Sequence, residues 1–183
     1  MGKLTDAAAK TLRSEYFADD GLRAYMLIDG ASAGALIDHL YDDGADFACL
    51  ITGGLEPDMQ EVAPYLVALS DGEPFANWVV DNSQGAHWGI ILRSSLALPD
   101  LARRYRKLLR MRGSDGDSFF FRFYDPRVFR AYLPSCQPDE LEVWFDEVRC
   151  YLMEAQDPDI LLRLSANQNA LKMEEILLRS ETY

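Results

Sequence analysis

The chain has 183 residues, 49% of them hydrophobic and 26% charged, with a formal net charge of -12. That length holds one domain with a sizeable core, or one domain with a small appended lobe. Affinity for a phosphate backbone comes largely from Lys and Arg, so the negative charge speaks against nucleic-acid partners.

At the N-terminus, Asp6 and Lys10 interrupt any apolar run, so no secretory signal is expected. No later stretch approaches the roughly 20 apolar residues that span a bilayer, and a cytoplasmic protein without stable membrane insertion is expected. The three cysteines, Cys49, Cys136 and Cys150, are far apart and lack C-x-x-C spacing, which fits reduced thiols used as small core residues.

Residues 4–17 predict a helix outside the sheet. Apolar runs then predict strands over 24–29, 47–52, 65–69, 88–92 and 118–124, several of them continuous as in buried central strands. Between them, Leu36, Ile37 and Leu40 share one helical face over 33–41, and Phe75, Trp78 and Val79 do so over 74–80. The clearest helix is 98–111, where Leu98, Leu101, Tyr105, Leu108 and Leu109 recur at helical spacing. Helices over 126–133 and 138–145 each begin with Pro at the first position. A strand over 148–153 follows, and 160–178 reads as mostly helical.

The expected fold is α/β, a central mostly parallel or mixed sheet of about five strands flanked by helices. A small, mainly helical lobe over 135–183 follows an α/β core over 1–134, unless the two form one continuous domain.

His39 and His87 are the only histidines, and neither has a second metal ligand at usable spacing. Nucleophile-elbow, phosphate-loop and dinucleotide-binding signatures are absent, so no cofactor is expected. Three expected strands end in polar residues: Asp29-Gly30, Arg93-Ser94 and Asp125-Pro126-Arg127. Beyond the strand ends of an open sheet these could converge on a ligand crevice. The simpler assignment is that Asp29 and Asp125 cap the next helix or turn.

Alternation over 119–124 sets Phe119, Phe121 and Phe123 on one face and Phe120, Arg122 and Tyr124 on the other. Arg122 is thereby placed in the core, paired with Asp29 or Asp125, or else forms a recognition surface with Tyr124 and Arg127. Arg103, Arg104, Arg106, Lys107, Arg110 and Arg112 form a basic stripe, either a solvated face or a patch for an acidic surface.

The segment FRFYDPRVFRAYLP, residues 121–134, resembles the signature of the adaptor-chaperone family of type VI secretion. AYMLIDGA (24–31), APYLV (63–67) and WGIILRS (88–94) with the helix over 101–109 are similar to further family blocks in the same order. The similarity covers residues 22–148. It departs where the family often shows F-G-P-V and this chain has Phe145, Asp146, Glu147 and Val148.

The resemblance implies a non-catalytic adaptor that binds a cognate effector and helps load it onto the VgrG spike, sometimes with a PAAR-type tip. The candidate partner-binding or motif residues are Asp29, Trp88, Arg93, Arg122, Tyr124, Asp125 and Arg127, with Arg103, Arg106 and Arg110 from the basic stripe. Two alternatives stand beside it. One is a small-molecule enzyme using Asp29, Arg93, Asp125 and Arg127; the other is a structural subunit that oligomerises through its tail.

Overall fold

The computed structural model describes residues 4–112, 116–167 and 170–178. Helix α1 (Asp6–Tyr16) starts at Thr5, whose side chain accepts the Ala8 N–H at 3.2 Å. Strand β1 (Arg23–Asp29), α2 (Leu36–Asp42), β2 (Phe47–Cys49), α3 (Pro57–Glu61), β3 (Pro64–Leu69), α4 (Pro74–Asn82), β4 (Gly89–Ser94) and α5 (Leu98–Leu108) follow. Next come β5 (Arg110–Arg112), β6 (Ser118–Phe120), α6 (Pro126–Tyr132), α7 (Pro138–Phe145), β7 (Val148–Glu154), β8 (Ile160–Asn167) and β9 (Ala170–Leu177).

Seven strands form one sheet in the order β2-β3-β1-β4-β7-β8-β9, and every pairing in it is antiparallel. This corrects the expected parallel or mixed sheet of about five strands, and the directions explain why. Since β3 runs against both β1 and β2, those two strands point the same way, joined through α2, with β3 inserted between them. Likewise β3 and β4 point the same way through α4, with β1 between. The β1-α2-β2 and β3-α4-β4 units do connect like-directed strands, as such crossovers do, whereas α3 joins the antiparallel neighbours β2 and β3. Interleaving them leaves no parallel neighbours.

The sheet lies between two helical layers, and successive residues of β1 serve them alternately. Tyr25 and Leu27 join the core under α5, α6 and α7, while Ala24, Met26 and Ile28 join that under α1, α2 and α4. Burial on both faces makes the strands continuous apolar runs, the pattern that sequence alone associates with parallel sheets.

The mainly helical tail is also corrected. Residues 160–167 and 170–177 are β8 and β9, paired in register from Ile160↔Leu177 to Asn167↔Ala170. Residues 168–169 lie outside the described set. Leu, Lys, Met and Glu favour helix intrinsically, but pairing β8 with β7 buries Leu161 on one face and Leu162 and Leu164 on the other. Tertiary burial outweighs the local preference.

The strand expected over 118–124 is only three residues long. β6 pairs with β5 in a separate two-stranded sheet rather than with the central one. No described helix is long and apolar enough to cross a membrane.

Candidate partner-binding site

Antiparallel pairing decides which strand ends meet. In the β1–β4 ladder Ile28 lies opposite Gly89 and Ala24 opposite Arg93, so Asp29 shares its end of the sheet with the start of β4. There the Asp29 N–H donates to the Trp88 carbonyl at 2.7 Å. Arg93 sits at the other end. Of the four residues that could have converged on a crevice, Arg93 therefore lies apart, while Asp29, Asp125 and Arg127 come together.

Asp125 precedes Pro126 and caps α6, its Oδ1 accepting the Arg127 N–H at 2.9 Å. The Arg127 guanidinium folds back onto the same carboxylate, donating through Nε at 3.0 Å and a terminal NH2 at 2.8 Å. Arg122 donates to Asp29 Oδ2 at 2.7 Å and lies 3.9 Å from Asp125. Asp29 also accepts from the Ala31 N–H at 3.2 Å and the Ser32 hydroxyl at 3.1 Å. Both carboxylates are buried, whereas the Arg122 and Arg127 side chains are 48% and 50% exposed.

Arg122 is thus not a core residue, as alternation over 119–124 suggested. Its pairing with Asp29 is real, but the strand ends at Phe120 and the chain turns, with the Asp125 N–H donating to the Arg122 carbonyl at 3.1 Å. Tyr124 is buried, its ring centre 5.9 Å from the Arg122 guanidinium carbon.

The turn sorts residues 119–127 into two sets. Phe121, Phe123, Tyr124 and Asp125 point inward, with Phe121 4.7 Å from Tyr132 and Phe123 5.2 Å from Trp144 between ring centres. Phe119, Phe120, Arg122 and Arg127 remain exposed.

Electrostatics follow from these contacts. Burial raises the Asp125 carboxyl, but the bonds from Arg127 and the charges of Arg127 and Arg122 outweigh it and hold it below the usual carboxylate value. Burial, then the Asp29 charge, pushes the Tyr124 hydroxyl up. Beside them, the buried Glu154 carboxylate accepts the Gly85 N–H at 2.6 Å and meets the His87 imidazole at Nδ1. Desolvation and the charges of Arg127 and Arg130 lower the His87 pKa, with Asp125 opposing. Sequence reasoning missed this pair, whose signal was an acidic residue closing the apolar run of β7.

The other candidates lie elsewhere. Arg93 is 2% exposed and donates to the Ala18 carbonyl at 2.7 Å, the Leu22 carbonyl at 3.1 Å and Asp20 at 2.5 Å. It ties the α1–β1 connection to the sheet and lines a polar cleft of about 570 Å³ with Asp20, Arg149, Arg163 and Lys172. Trp88 is half-buried, 4.4 Å from Trp78, which stacks on His39 at 4.1 Å.

In the basic stripe, Arg104 reaches Asp146 at 3.0 Å and Arg106 donates to the Cys49 carbonyl at 2.7 Å, fastening α5 to its neighbours. Arg103, Lys107 and Arg110 stay exposed, with Arg103 2.9 Å from Asp100. The side chain of Arg112 lies outside the described residues. Among the described residues no group of three or more His, Cys, Asp or Glu is placed to hold a metal ion.

Compared with known proteins, residues 24–142 match the family described as Domain of unknown function (DUF4123). No curated protein and no solved structure matches the chain.

Proposed function

Because the chain belongs to the DUF4123 family, a domain that occurs in type VI secretion effector-adaptor contexts, we propose that it is an adaptor rather than an enzyme. It binds a cognate effector and helps load it onto the VgrG spike, together with a PAAR-type tip where one is present.

The observation that carries this is the two-sided segment 119–127. Phe119, Phe120, Arg122 and Arg127 face outward, and aromatic residues and Arg are the types that dominate protein interfaces. Buried Asp29 and Asp125 hold the two guanidiniums while half of each side chain stays open to solvent. Less rotamer freedom then remains to be lost on binding.

The chemistry fits recognition better than turnover. Asp29, Asp125 and Glu154 already accept hydrogen bonds from protein groups, which leaves the guanidinium N–H groups as what the cluster offers a partner. A complementary effector segment presents apolar side chains beside carboxylates.

Co-expression with the effector encoded beside this gene, followed by size-exclusion chromatography, tests the proposal. Chain and effector are expected in one peak. Failure of both effector and spike to co-elute, at low and at high salt, contradicts it.

A further inference from the structure

Among the described residues, strand β9 ends the central sheet and pairs only with β8. Among the described residues its outer edge therefore carries backbone N–H and C=O groups without a partner strand. Proteins usually blunt such an edge, and β2 at the opposite side does so by being three residues long. β9 instead runs for eight residues without Pro or a bulge, and what guards it is its charged residues Lys172, Glu174 and Glu175. Met173 and Leu177 on one of its faces are 44% and 55% exposed. The other face carries Lys172 and Glu174, with Lys172 Nζ 2.9 Å from Glu174 Oε1 and Arg163 of β8 3.9 Å from Glu174.

The order of charges along β9 is self-complementary in one register. When two copies pair antiparallel about a two-fold axis at Met173, Lys172 of each lies opposite Glu174 of the other, and Met173 faces Met173. Leu171 then faces Glu175. Moving the axis to residue 172, 174 or 175 sets Lys172, Glu174 or Glu175 opposite its own copy. Opposite charges directly across a strand pair stabilise it, and like charges destabilise it.

We propose that a second copy of this chain adds to the sheet through β9, antiparallel and centred on Met173, so that one sheet runs through the dimer. The dimer stands independently of the adaptor proposal, since it uses β9 and none of residues 119–127.

Sedimentation of the full chain over a series up to millimolar concentration, without effector, tests this. A concentration-dependent dimer is expected. Lys172→Glu alone and Glu174→Lys alone each set like charges opposite each other and should weaken dimerisation by about ten-fold or more. Both side chains are exposed, at 61% and 38%, so the fold tolerates the changes.

Mixing the two single variants restores both opposite-charge contacts between copies, and the mixture should dimerise like the wild type. A wild type that stays monomeric throughout overturns the proposal, as does a dimer unaffected by the single changes or a mixture that remains monomeric. Association at β9 only when effector is added assigns the edge to another partner and equally overturns it.

Discussion

Asp29 accepts from the Ala31 N–H, the Ser32 hydroxyl and Arg122, and only Arg122 supplies a charge. Removing it leaves a buried carboxylate with two neutral donors. Hydrogen bonds to charged groups contribute about 1.5 to 3 kcal/mol, and partial exposure of Arg122 puts its loss near the lower end. Arg127 differs in kind. Its carboxylate partner Asp125 is likewise buried, but truncating the side chain leaves Asp125 the backbone N–H that caps α6 and the Arg122 charge at 3.9 Å, so the half-exposed guanidinium contributes about 0 to 1 kcal/mol. Arg122→Ala is therefore expected to lower stability by about 1.5 kcal/mol, and Arg127→Ala by less than about 1 kcal/mol, in chemical denaturation. Equal losses, or a larger loss for Arg127→Ala, would contradict the assignment of Arg122 as the partner of a buried charge.

The contact between β1 and β4 depends on one residue without a side chain. A Cβ on Gly89 would lie 2.0 Å from the Leu27 carbonyl oxygen and 3.0 Å from the Ile28 Cα, both backbone atoms that cannot move aside without spreading the ladder. Gly89→Ala is expected to cost about 3 kcal/mol or more. Gly34→Ala, with nothing within 4 Å, should change stability by no more than about 0.5 kcal/mol. Thermal melts of the two variants separate them, and similar melting temperatures would contradict the close approach at Gly89.

Most elements up to α7 were legible because apolar spacing and the Pro-led starts of α6 and α7 are local signals, but α3 and β5 were missed and the strand over 118–124 proved short. Strand direction was not, because a β3 inserted between β1 and β2 leaves no mark on either strand. In the tail, helix-forming residues such as Lys172, Met173 and Glu174 hid strands whose cause is pairing within the β7-β8-β9 meander.

At the scale of the whole molecule, the candidate site was legible in its parts but not in its assembly. Asp29, Asp125 and Arg127 stood out because Asp at a strand end or before Pro signals a cap or a site. Arg93 was grouped with them only through the wrong strand direction, and the antiparallel sheet sends it to the opposite end. The outward set of Phe119, Phe120, Arg122 and Arg127 depends on the chain leaving β6 at Phe120, which alternation within one segment could not reveal.

A protein with a net charge of -12 that turns two guanidiniums and two phenyl rings outward from one short segment is suited to a partner surface both acidic and apolar. The most direct measurement is titration calorimetry of the purified effector into wild-type chain and into the Phe120→Ala/Arg127→Ala double variant. Truncating two interface residues of the hot-spot types should weaken binding by at least about ten-fold while the melting temperature stays close to that of the wild type. A folded double variant that binds the effector as tightly as the wild type would contradict the account of residues 119–127 as the docking surface.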